Sequence, residues 1–201
     1  MNNLDARLSS LVRVLCLLAG WSLLGYSVVT VAATLMRKYL HIAIPGIDEY
    51  GGYVFAIVSA IGFSYAFLER SHIRVEVLRE KMSPRTQAVF DMLALVSIVF
   101  TSGFLAYFAF DVLAHSIALD ARANTPLRTP MVFPQALWAG ALALFALICV
   151  FYLLRCSAAI LKGDMNFVRR LMGGVTISEE IHRDMQGVLP PTDDDHEKGR
   201  V

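Results

Sequence analysis

Charge is missing from most of this chain. Four stretches, Val14 to Met36, Tyr50 to Leu68, Met92 to Phe110 and Met131 to Leu154, contain no Asp, Glu, Lys or Arg. At about 1.5 Å of rise per residue, a helix of any of these lengths matches a hydrocarbon core of about 30 Å. Charged residues make up 17% of the chain and hydrophobic ones 56%, whereas soluble domains carry about a quarter charged residues. That contrast excludes an ordinary water-soluble globule. An excess of either sign is lacking too: 18 Lys and Arg stand against 17 Asp and Glu, a formal net charge of +1. Such a balance gives nucleic acid no electrostatic handle.

Reactive side chains are also scarce inside the apolar runs. The three cysteines, Cys16, Cys149 and Cys156, lie within or at the edge of those runs with no CxxC spacing, which reads as small core residues and excludes a paired-thiol oxidase. No histidine falls in an uncharged run: His41 and His115 flank them on one side, His72, His182 and His196 on the other. Axial heme ligation between spans therefore lacks its ligands. A mid-membrane carboxylate of the kind a proton-coupled antiporter needs is absent, and Ser22, Ser27, Ser59 and Ser97 have no histidine at matching depth for nucleophilic catalysis. Four helices without ionisable groups at their centre do not make a solute pathway alone. They can make a scaffold.

The expected fold is an all-α integral membrane protein. A membrane domain over 1–160 holds spans near 14–36, 50–68, 89–113 and 131–154, and a cytoplasmic tail over 161–201 is disordered toward its end. The first run exceeds the roughly 7 to 15 residues of a signal-peptide core, so it reads as a retained span. Lys and Arg concentrate before the first span, between the second and third, and after the fourth, which together hold 14 of the 18. The positive-inside bias then places both termini in the cytoplasm and the first and third loops outside.

Element ends are legible. Pro45-Gly46 turns the first loop, and Asp48 and Glu49 open the second helix where carboxylates meet exposed N–H groups. Ser83-Pro84 has the order of an N-cap followed by proline at the first helical position. Around the start of the fourth span, either Thr129 caps a helix that Pro134 kinks, or regular helix begins only near Pro134. Gly52, Ala56, Ala60 and Ser64 recur every fourth residue and form a smooth face for close helix contact, within the bundle or with a partner. Between the second and third spans, Ile73, Val75, Val77, Leu78 and Met82 interleave with Arg74, Glu76, Arg79 and Glu80. The alternation over His72 to Val77 would suit a short strand, while Ile73, Val77 and Leu78 share a helical face; beside a bilayer the pattern favours an amphipathic cytoplasmic arm helix, or an extended arm, lying against membrane lipid.

Several of these segments together resemble a known family. Glu49 opening the second span, Gly62 within it, His72-Ile73-Arg74-Val75-Glu76-Val77-Leu78 after it, the outer Thr125-Pro126-Leu127-Arg128-Thr129-Pro130 and Pro134-Gln135 at the fourth span are similar to the small permease subunit of tripartite ATP-independent periplasmic (TRAP) transporters. The likeness covers about Leu11 to Leu154, and the family more often carries aspartate where Glu76 stands. It implies a non-catalytic subunit of a bacterial inner-membrane symporter. A large multispanning subunit would carry sodium and substrate, and a soluble periplasmic protein would deliver an organic acid, a C4-dicarboxylate or similar. No cofactor and no nucleic acid is implied for this chain. Glu49, His72 and Arg74 would position the second helix and the arm, with Gly52, Ala56 and Ala60 permitting close contact. The competing expectation is a self-contained four-helix redox carrier or enzyme using outer-surface groups such as His41, Asp111 and His115, were the spans to bring them together.

Overall fold

The computed structural model describes residues 3–69, 84–125 and 127–161. The predicted arm with His72 and Arg74, the loop residue Pro126 and the tail beyond 161 lie outside the described residues. Four helices account for nearly everything else: α1 (Asn3–Tyr39), α2 (Ile47–Leu68), α3 (Pro84–Ala118) and α4 (Val132–Leu161). All four are long and apolar enough to cross a membrane. In hydrocarbon each backbone N–H and C=O must find its partner within the segment, and a helix is how a single run does so. The chain is an all-α membrane protein.

The helices outrun the uncharged stretches because their polar flanks continue the same hydrogen-bond ladder. At 37 residues α1 is about 55 Å long, well over the hydrocarbon thickness, so Asp5 and Arg7 ride on helix beyond one bilayer edge. Proline marks two starts. Pro84 is the first residue of α3, where its missing N–H costs nothing. α4 begins at Val132, between the two sequence expectations, and Pro134 falls in its first turn. There the proline removes no internal bond and the helix needs no kink.

Packing follows an open order. Among the described residues, α1 packs on α2, α2 on α4, and α4 most extensively on α3, with no extensive contact between α1 and α3. The array therefore has two edge helices and two central ones. Two buried clusters of the described residues hold it. Nearer the loops, an alanine seam brings α2, α3 and α4 together through Ala60, Ala106, Ala109, Ala139, Ala141 and Leu142. Small side chains let backbones approach closely, the usual source of helix adhesion where lipid is as apolar as leucine. Nearer the termini, Val12, Phe67, Leu95, Phe145, Ile148, Cys149 and Cys156 form the second cluster. Phe67 meets both Phe145 and Tyr152 edge-on there, with centroids 6.3 and 5.6 Å apart.

Candidate functional site

One group of polar contacts among the described residues lies at the end carrying the loops after α1 and α3. Pro45-Gly46 makes the turn into α2, with Gly46 at φ 85° in the left-handed region. Glycine suits that backbone, and a Cβ there would stand 1.9 Å from Leu127 Cδ1 and push that exposed side chain aside. Leu127 belongs to the loop after α3, which folds back as a short tongue. Ala123 N–H donates to Thr129 O at 2.9 Å, Met131 N–H to Ala121 O at 3.0 Å, and Arg122 bridges Pro130.

Glu49 clamps this tongue to α2. Its Oε1 accepts a hydrogen bond from the Tyr53 hydroxyl at 2.7 Å, and its Oε2 accepts one from the Thr125 hydroxyl. These two hydroxyls, Thr125 first, hold the Glu49 carboxyl below its ordinary pKa. The Tyr53 hydroxyl also sits 3.2 Å from Met131 Sδ, which brings the start of α4 against the same point. No side chain caps α2 through a hydrogen bond, so Glu49 spends its oxygens across the fold rather than on its own helix. One turn away, the Tyr26 hydroxyl of α1 donates to Ile47 O at 2.7 Å. Gly51 faces that ring: a Cβ added to it would meet Tyr26 Oη at 2.3 Å. First loop, tongue, α1, α2 and α4 are thus joined by four residues, Tyr26, Glu49, Tyr53 and Thr125.

Sequence reasoning singled out Glu49 but missed Tyr26, Gly51, Tyr53 and Thr125 as its neighbours in this junction. The available signal was the Gly51-Gly52 pair itself, which occupies two faces of α2 and serves two different surroundings. The four-residue row is divided accordingly. Ala60 and Ser64 are buried, Ala56 is half-buried, and Gly52 is exposed, with nothing within 4 Å of where a Cβ would stand. Gly62 likewise has open space beside it. Pro134 lies in the first turn of α4, half-buried.

The outer-surface trio His41, Asp111 and His115 is not assembled. His115 Nδ1 lies 3.6 Å from Asp111 Oδ1 on α3, and both line an open cavity of about 300 Å³ with Val112, Ser116, Leu119 and Ala121. His41 is absent from that lining, because it follows α1 at one edge of the array while α3 forms the other. Among the described residues no group of three or more His, Cys, Asp or Glu side chains is placed to hold a metal ion.

These features define a multi-pass, all-helical membrane protein whose polar groups tie its own loops together. The family model for tripartite ATP-independent periplasmic transporters, DctQ component, matches residues 26–159, which is more than half of the chain. The chain belongs to that family: it is a small membrane component of a TRAP transporter and a protein of the inner membrane. Membership in a tripartite system implies a large permease and a periplasmic binding protein as partners. No curated protein and no solved structure matches the chain.

Proposed function

We propose that this chain is a non-catalytic scaffold that holds the large subunit of a sodium-gradient-driven transporter while that subunit moves organic acids, a C4-dicarboxylate or similar, handed over by the binding protein. The family match over residues 26–159 carries this reading. Two features support it. The centres of all four helices carry no charged side chain to line a path through the chain, and a polar junction ties its loops together, which suits support rather than movement. Sodium coupling and substrate contact then reside in the large subunit, and this chain works without a cofactor. With both termini in the cytoplasm, as the distribution of Lys and Arg favours, the Glu49 junction faces the periplasm.

Reconstitution tests the proposal. The chain is co-expressed with the large subunit, purified in mild detergent and placed in vesicles, and uptake of labelled dicarboxylate is followed with the binding protein outside. Uptake is expected only with both membrane chains, the binding protein and an inward sodium gradient. Uptake by the small chain alone, or uptake by the large chain undiminished without it, would overturn the scaffold.

A further inference from the structure

At the end of the array away from the Glu49 junction, each helix carries one charge at the limit of its uncharged run: Arg13 on α1, Glu69 just after α2, Asp91 on α3 and Arg155 on α4. Taken in spatial order, α1, α2, α4, α3, the signs read plus, minus, plus, minus. The order along the chain gives no such alternation. Arg13 Nη2 lies 3.7 Å from Glu69 Oε1 in an exposed pair. The other half of the row is largely withdrawn from solvent. Arg155 forms an ion pair with Asp5 of α1, with the two side chains only 19% and 12% exposed, and its guanidinium sits 5.6 Å from the Phe151 ring centroid. Asp91 is 6% exposed and stands one turn before Leu95, which shares a buried cluster with Cys156, the residue after Arg155.

Exposed pairs contribute little, whereas charges at the edge of hydrocarbon interact strongly and are costly when left with a like neighbour. The edge helices α1 and α3 lack extensive contact with each other among the described residues, yet Asp5 of one and Asp91 of the other reach the same corner of α4. We propose that this alternating row fastens the array at its terminal end, with Arg155 as the hub that holds both edge helices on α4 and so fixes which helices are neighbours. Asp5 and Arg13 precede the region that the family model matches, and the inference stands independently of the transport reading.

The test uses the full chain in lipid nanodiscs, with Cys16 replaced by alanine and spin labels placed at the exposed Ser9 of α1 and Val89 of α3. A second labelled pair, Ala43 and Leu119, reports the loop end. The unsubstituted protein is expected to give a narrow distance distribution at both ends. Arg155→Gln should broaden and lengthen the Ser9–Val89 distribution and leave the loop-end pair unchanged. If that variant does not fold, Asp5→Asn, which keeps the hub and removes one partner, should broaden the same pair. Glu69→Arg, which sets three positive charges side by side in the row, should act in the same direction. An unchanged Ser9–Val89 distribution in Arg155→Gln or Asp5→Asn, or equal broadening at both ends, would overturn the proposal.

Discussion

Thr125 donates its hydroxyl hydrogen to the carboxylate of Glu49, 76 residues earlier in the chain. With Tyr53 on the other oxygen at 2.7 Å, a carboxylate in the first turn of α2 becomes the fixed point on which the tongue after α3 rests. The position suits a negative charge twice over. Its donors satisfy it, and the positive end of the helix dipole lies beneath it.

Removing that carboxylate should free the tongue without unfolding the helices. Glu49→Ala leaves two hydroxyls without their acceptor, and trypsin should then cut faster after the exposed Arg122 and Arg128. Glu49→Gln keeps an acceptor oxygen and should fall between. Thr125→Val combined with Glu49→Ala should be less than additive. Strict additivity in thermal unfolding would show that the two residues do not act together.

Two adjacent glycines should respond in opposite senses. An alanine at Gly51 would put its Cβ 2.3 Å from Tyr26 Oη and 2.8 Å from Cζ, so the ring must move and its 2.7 Å hydrogen bond to Ile47 O is lost. At Gly52 the same Cβ meets nothing within 4 Å, and alanine is the better helix former by about 1 kcal/mol. Melting temperature in detergent should therefore fall for Gly51→Ala and hold or rise for Gly52→Ala. Equal shifts would contradict the assigned facing of α2.

What the sequence made legible was set by charge and by proline. The four uncharged runs located the helices because burial in hydrocarbon overrides finer propensities, and Ser83-Pro84 marked the start of α3 at Pro84. Helix neighbours were not legible, since α1–α2–α4–α3 depends on which small residues meet. The row from Gly52 to Ser64 drew notice for its period of four, yet the alanine seam also draws Ala106, Ala109, Ala139 and Ala141 from two other helices, a pairing that no spacing within one helix reveals. Glu49 was legible as a helix-start carboxylate. Its partner Thr125 was not, because a contact across a loop has no local pattern. The trio His41, Asp111 and His115 failed for the same reason, as the array separates its edges.

Pro134 should be nearly dispensable to the isolated chain. It stands in the first turn of α4, where its absent N–H has no intrahelical acceptor to lose. Pro134→Ala is expected to change unfolding little, whereas proline introduced three turns later, as in Leu144→Pro, should cost about 3 kcal/mol or more. A large loss from Pro134→Ala would mean that the ring itself positions the tongue.

Substitutions on α2 can separate packing within the chain from packing against a partner. Ala60 is 1% exposed within the alanine seam, so Ala60→Leu forces extra volume into a close helix crossing and should destabilise the isolated chain by about 1–3 kcal/mol. Gly62 has nothing within 4 Å of an added Cβ, so Gly62→Leu should leave the isolated chain folded with an unchanged melting temperature. If the large subunit sits on that side of α2, Gly62→Leu should reduce its recovery in co-purification and lower uptake in vesicles. The half-buried Ala56 lies between these cases, and Ala56→Leu should lower both stability and recovery. Should Gly62→Leu change neither recovery nor uptake, that side of α2 faces lipid, and the large subunit must be held by another face of the array.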